Sequence, residues 1–338
     1  MARAFFDYFK ISYSCVIDQN ADRIKLETSW NGIPLLRPDE VKESVKKTNL
    51  LVICIVTTRM IALQEDLRTQ GWGDSVFFYD VCDTYSDRYP ITNGWFLRAM
   101  EPYEIDHVMN IFLSLDEISR MHYLQFLAWR RLRVELLWED VIINGPDRFF
   151  IPEITSILHE REIFADCGAY IGDASLRFID IMKKNYAGIH AIEPDAGNYS
   201  KLTTALANQP QCFTYNFALS DKTGKEKFYQ GFYYASKLDD NGAIVVETDT
   251  LDSLEIPATF IKMHLEGGEL KALNGARRTI IANRAIVAVT IYHNPDGVWR
   301  IPFFFLETVR NYHFYLRLHS WGGTGAVFYA VPKERYSS

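Results

Sequence analysis

Between residues 162 and 179 the chain reads "EIFADCGAYIGDASLRFI", an apolar strand-like run that turns at two glycines straight into helical text. A strand that feeds a helix through so short a turn has no hairpin partner. The strand that follows the helix must therefore return parallel to it, and the crossover hand is fixed. The same grammar repeats downstream. Strand-like runs at 188–193, 212–220, 243–250, 259–264 and 285–293 alternate with helical text at 174–185, 196–208, 268–283 and 302–311. The tail "FYLRLHS…GAVFYAVP" adds two further strands, read as a terminal antiparallel hairpin.

The first hundred residues carry a shorter version of this alternation. Strands are expected at 12–18, 50–57 and 75–81, the second of them fully buried, with a helix at 60–70 and another opened by Pro38, Asp39 and Glu40. From 102 to about 140 the text becomes amphipathic. Ile105, Val108, Met109, Phe112 and Leu113 keep a helical period, and two helices are expected there. "NGPDRFFIPEI" at 144–154, with its turn residues and two prolines, marks a boundary. The division expected is an α/β unit at 1–100, a helical bridge at 101–145 and a second α/β unit at 146–338.

Bulk properties narrow the function classes. With 48% hydrophobic and 23% charged residues the chain reads as a folded globular protein. A net charge of −7 without any basic run argues against a nucleic-acid partner held by a basic surface. The longest apolar run, "LLVICIV", is too short to span a bilayer, and the N-terminus has no signal-peptide pattern. Five scattered cysteines with no CxxC pair support neither a disulfide framework nor a zinc site. A cytoplasmic location is expected.

At the glycine turn, Asp166 ends the strand, Gly168 and Gly172 bracket the turn, and Asp173 opens the helix. Glycines allow close backbone approach to a ligand, and a helix start offers unpaired N–H groups. Glu193 ends the next strand, where a carboxylate can accept both hydroxyls of a ribose. The dinucleotide fingerprint lacks its third glycine and the P-loop lysine is absent. An acid ahead of the turn would repel a pyrophosphate and suits a cationic amine.

These segments carry a resemblance. "FFIPEI…EIFADCGAYIGDA", "AIEPDAGNYSKL", "NFALSDKTGKEKFY", "ETDTLDSL", "FIKMHLEGGELKALNGA", "IYHNPDGVWRIP" and "FYLRLHS" resemble, in order and spacing, the FkbM family of S-adenosylmethionine-dependent methyltransferases. The resemblance implies a class I, Rossmann-like methyltransferase sheet flanked by helices. It also implies S-adenosyl-L-methionine as cofactor and O-methylation of a sugar, glycoconjugate precursor or related metabolite. It assigns the methionyl part to Asp166, Gly168 and Gly172 beside Asp173, the ribose to Glu193, and the adenine to the neighbourhood of Ala218, Leu219 and Ser220. The first hundred residues resemble a small Rossmann-like unit of longer members, lacking its first strand and glycine-rich loop, with a docking or substrate-lid role expected.

Ligands of α/β sheets lie beyond the carboxyl ends of the strands. His264, Glu266 and Glu269, just after the fourth strand, and His293, closing the fifth, are therefore the expected catalytic groups. Methyl transfer to a hydroxyl needs alignment and a base for the hydroxyl proton. The family's usual text here is close to "IKMDIEGAE", so His264 stands where an acid is usual. An acid cluster is expected to raise its pKa. No metal is expected, because His plus Glu suits magnesium less well than Asp plus Glu. For Glu266 and Glu269 the structural alternative is helix-dipole stabilisation, worth about 0.3–1 kcal/mol each. His319, before "SWGGTGA", is a weaker candidate still, although a tryptophan beside glycines, here Trp321, is a common sugar-stacking surface. The competing readings are a non-catalytic cofactor- or sugar-binding protein, and a nicotinamide oxidoreductase.

Overall fold

The computed structural model describes residues 2–27, 32–85, 87–88, 98–139, 141–230, 236–240 and 242–336. The chain divides into two compact units, Met1–Pro90 and Ile91–Ser338. Among the described residues no helix is long and apolar enough to cross a membrane.

In the smaller unit, Leu50–Ile53 pairs parallel with Asp74–Phe77, and the helix Met60–Thr69 lies between them in sequence. Val16–Ile17 pairs parallel with Leu35–Leu36. Two expectations fail here. The strand at 50–57 is short and not fully buried, with Leu50 61% exposed, because among the described residues its sheet has two strands. The run expected as a strand over 75–81 is strand only to Phe77. Phe78–Thr84 is a helix, whose spacing buries Phe78, Tyr79 and Cys82 together.

The larger unit is built on seven strands. They are β1 (Ile163–Cys167), β2 (Gly188–Ile192), β3 (Cys212–Tyr215), β4 (Phe260–Met263), β5 (Ile286–Thr290), β6 (Tyr312–Leu318) and β7 (Ala326–Pro332). Their order across the sheet is β3-β2-β1-β4-β5-β7-β6, with only β7 antiparallel to its neighbours. The chain runs outward from β1 to β3 and then returns to the other side of β1. That reversal leaves a crevice at the carboxyl ends of β1 and β4, the topological switch point where α/β sheets bind ligands.

Helices α1 (Pro102–Ser114), α2 (Glu117–Leu132), α3 (Asp173–Ile181), α4 (Ala196–Leu206), α5 (Glu269–Asn274), α6 (Arg277–Ala282) and α7 (Gly297–Thr308) flank this sheet. Pro102 begins α1, and Glu104 accepts from the Glu101 N–H at its start. Asp116 caps α2 through the Ser119 N–H, and Arg133, at φ 56°, ends it. Strand residues alternate between two cores. Ala165, Cys167, Ile261 and Met263 pack with Tyr123 and Phe126 of α2, and Phe164 and Phe260 pack with Phe178 of α3 and Leu202 of α4.

Three segments differ from the sequence reading. The single strand expected at 212–220 breaks after Tyr215. Asn216 turns its amide back to the Glu193 and Pro194 carbonyls, and Ala218–Leu219 joins a separate four-stranded sheet. That sheet also holds Gly224–Tyr229 and Lys237–Leu238, and it takes the run expected at 243–250 as Ile244–Asp249. The helix expected at 268–283 breaks into α5 and α6 at Gly275, where a Cβ would collide with the Ser220 carbonyl. Pro302 lies inside α7 rather than at its start.

Candidate active site

Gly168 follows β1 at φ 75° and Gly172 precedes α3 at φ 98°, conformations that L side chains resist. Between them Tyr170 is also left-handed, at φ 54°, and its N–H donates to Glu193 Oε2 (2.9 Å). The Asp195 N–H donates to Glu193 Oε1 (3.0 Å). One oxygen of the Glu193 carboxylate is thus tied to the glycine turn through Tyr170 and the other to its own loop through Asp195. The carboxylate keeps lone pairs for a further pair of hydroxyls. Burial pushes its pKa up to about 7, against the lowering effect of those N–H groups. A buried carboxylate with acceptor capacity left, beside a turn of positive-φ residues, fits the ribose end of a nucleoside cofactor.

Asp166 is placed differently. It is fully buried in the register position beside Lys262, with Oδ1 2.8 Å from Lys262 Nζ and Oδ2 accepting from Ser175 Oγ (2.7 Å). Lys262 Nζ also donates to the Gly168 carbonyl (2.7 Å). The Asp166–Lys262 pair therefore holds the shape of the glycine turn from beneath. Asp173 is exposed in the first turn of α3, where its charge complements the helix dipole. Ala218, Leu219 and Ser220 are buried, and Ser220 Oγ donates to Glu226 Oε1 (2.7 Å).

Beyond β4 four of the expected residues converge. The His264 N–H continues the ladder by donating to the Cys167 carbonyl (3.0 Å). The chain then turns through Glu266 at φ 51° and Gly267 at φ 109°. A left-handed glutamate costs about 1–2 kcal/mol, and here it brings the side chain back toward the strand end. Glu266 Oε1 lies 2.8 Å from His264 Nε2 and 3.3 Å from His293 Nε2. The two imidazoles stack, with centroids 5.0 Å apart and 14° between their planes. His293 Nδ1 donates to Glu269 Oε1 at 2.5 Å. Glu269 also accepts from Thr290 Oγ1, the Leu265 N–H and the Gly267 N–H, and is itself buried.

The electrostatics correct one expectation. Burial, together with the Arg148 charge, lowers the His264 pKa to about 4, and its bond to Glu266 does not reverse this. Positive charge goes to His293 instead. Burial opposes it there, but Glu266 and Glu269 on either side raise its pKa well above the usual value. Burial would also raise Glu266, yet His293 and His264 hold it well below the carboxylate range.

Several contributors were missed in the sequence. Arg148 donates to the Tyr292 hydroxyl (2.7 Å), which lies 3.4 Å from His264 Nε2. Arg130 of α2 is buried, its pKa pushed down to about 9 by burial, and it donates to the Tyr292 and Asn294 carbonyls on either side of His293. Only Lys262 left a signal, as a lone charge inside an apolar strand opposite another such charge. His319 spends both ring nitrogens, on the Asn144 carbonyl and the Tyr329 hydroxyl. Next to Gly267 and Asn294 opens a cavity of about 700 Å³, walled also by Arg98, Met100, Glu104 and Trp299. That is within the range of small-molecule sites, roughly 300–1,000 Å³.

Residues 166–321 match the model of the methyltransferase FkbM domain. The crystal structure of the methyltransferase FkbM from Methylobacillus flagellatus KT aligns with a TM-score of 0.67 at 18% identity, covering 94% of this chain and 82% of that one. At that identity the likeness establishes the fold. An rRNA methylase from Streptococcus thermophilus is more distant, with a TM-score of 0.33 at 11% identity over 52% of this chain and 89% of its own. No curated protein matches the chain.

Proposed function

Because the chain carries an FkbM methyltransferase domain over residues 166–321, on a class I S-adenosylmethionine-dependent methyltransferase fold, we propose that it methylates a hydroxyl of a sugar or related metabolite. The observation that carries this is the meeting of two sites at one switch point. Glu193 and the glycine turn lie at the ends of β1 and β2, and the His264–Glu266–His293 cluster at the ends of β4 and β5.

S-adenosyl-L-methionine, when bound, supplies an electrophilic methyl group on a sulfonium. Glu193 holds the ribose hydroxyls, while Gly168, Gly172 and the start of α3 with Asp173 shape the turn around the methionyl part. Asp166 acts from beneath through Lys262 and Ser175. Ala218, Leu219 and Ser220 border the adenine.

On the acceptor side, His264 is neutral at pH 7 and one-fifth exposed, so it can meet a hydroxyl. The His264–Glu266 pair takes up the proton that the hydroxyl sheds, since Glu266 stabilises an imidazolium formed 2.8 Å away. Glu269 and Arg130 are positioning residues that fix the ring and the loop of His293. The cavity beside Gly267 and Asn294, with polar and charged walls and Trp299, supports a hydroxylated acceptor.

The test measures transfer of radiolabelled methyl groups from S-adenosylmethionine to a panel of sugars and hydroxylated metabolites, with calorimetric binding of S-adenosylhomocysteine in parallel. Transfer to oxygen supports the proposal. Tight cofactor binding without transfer to any acceptor would instead mark a non-catalytic binding protein, consistent with the histidine at 264.

A further inference from the structure

We propose that His264, Glu266 and His293 form a binding site for one first-row divalent transition-metal ion of the zinc type. Each offers one ligand atom, and the three atoms lie within 4.8 Å of one another. Both imidazole Nε2 atoms face the same Glu266 oxygen, at 2.8 and 3.3 Å. In a tetrahedral site with bonds of about 2.0–2.2 Å the ligand atoms stand roughly 3.3–3.6 Å apart.

The second observation is at His293. Its side chain is 1% exposed, and its buried Nε2 has no well-formed hydrogen bond, only the Glu266 carboxylate facing it at 3.3 Å. The Nδ1 proton is committed to Glu269, so a second proton or a cation is all that can bridge Nε2 and the facing Glu266 carboxylate. Two facing lone pairs repel unless a proton or a metal cation lies between them. A carboxylate that orients a histidine through Nδ1 and leaves Nε2 free is the arrangement metal-binding histidines use. Glu269 is fixed for that task by Thr290, Leu265 and Gly267.

Charge and access agree. Glu266 and Glu269 place two carboxylates in a buried cluster, and one divalent ion balances both. His264 is 20% exposed at its side chain, so the site keeps an open side, as catalytic metal sites do. Two imidazoles and one carboxylate favour zinc, iron(II) or cobalt(II) over magnesium or calcium. The replacement of an acid by His264 thus counts against a hard ion and for a borderline one. Binding of the ion stands apart from methyl transfer. Only its role, polarising an acceptor hydroxyl, rests on the reading above.

The experiment uses the full-length chain without an affinity tag, stripped with a chelator. Cobalt(II) is titrated by visible absorption, zinc by calorimetry and magnesium as the hard-ion control, with S-adenosylhomocysteine binding measured on each sample. The expected result is one cobalt(II) or zinc per chain, with zinc displacing cobalt and magnesium binding far more weakly. His293→Ala and Glu266→Ala should weaken cobalt binding more than about a hundredfold, and Glu269→Gln by about 10–100-fold. His264→Asp should retain binding, with S-adenosylhomocysteine affinity preserved throughout. No saturable cobalt or zinc binding by the wild-type chain overturns the proposal, as does binding unchanged in His293→Ala or matched by magnesium. A chain that binds S-adenosylhomocysteine but no ion loses the metal site and keeps the methyltransferase reading. One that binds the ion but not S-adenosylhomocysteine does the reverse.

Discussion

The backbone carbonyl of His264 fills the space where a Cβ on Gly168 would lie. The first residue of the glycine turn and the first residue beyond β4 are thereby locked in van der Waals contact, reinforced by the His264 N–H to Cys167 carbonyl bond. A displacement on one side is felt on the other.

Gly168→Ala tests that lock. The substitution meets both a left-handed backbone and the His264 carbonyl, so a loss of about 1–3 kcal/mol in unfolding free energy is expected, with weaker S-adenosylhomocysteine binding. Urea denaturation and calorimetry measure the two. An alanine variant with wild-type values would mean that the two strand ends move independently.

With Glu193 as the proposed ribose acceptor, cofactor affinity should depend on pH. The Glu193 pKa is raised on folding from about 4.3 in a free chain to about 7. The folded chain therefore takes up a proton in that window, and the ionised form that accepts two ribose hydroxyls prevails only above it. S-adenosylhomocysteine affinity should rise with pH through about 7, falling about tenfold for each pH unit below it. The same shift removes stability from the ligand-free protein as pH rises from about 4.3 to 7. In Glu193→Gln the affinity should be low and flat across pH. A wild-type profile without this slope would take Glu193 out of the ribose site.

His264→Ala should lower turnover by about 100-fold or more while S-adenosylhomocysteine affinity stays within about twofold. His264→Asp, which restores an acid at the strand end, should recover much of the lost rate. Comparing kcat with the calorimetric affinity separates the roles. An unchanged rate in His264→Ala would show that the imidazole only fills space.

Lys262→Met leaves Asp166 buried without its counter-charge. Removing one partner of a buried pair costs about 3–5 kcal/mol, and Lys262 and Asp166 are 3% and 0% exposed. Chemical denaturation at pH 7 reads this directly. A loss below about 1 kcal/mol would indicate that Ser175 alone satisfies Asp166.

Much of this molecule was legible because its signals are local. A strand that must run into a helix through "DCGAYIGD" dictates parallel pairing. The period of α1 and α2, the strand-end positions of Glu193, His264 and His293, and the terminal hairpin all follow from residues near one another in sequence. What the sequence could not decide were outcomes of long-range competition. Whether 212–220 stays one strand depended on Asn216 reaching the Glu193 carbonyl, and whether 268–283 stays one helix depended on Gly275 meeting Ser220. The protonation pattern is of the same kind. A histidine among acids is expected to gain a proton, but burial and Arg148 deny it to His264, and Glu266 with Glu269 give it to His293. Local sequence set which groups stand at the crevice. Burial and charge, which depend on residues from two dozen to more than a hundred positions away, decided which of them is neutral, which is charged, and which only holds another in place.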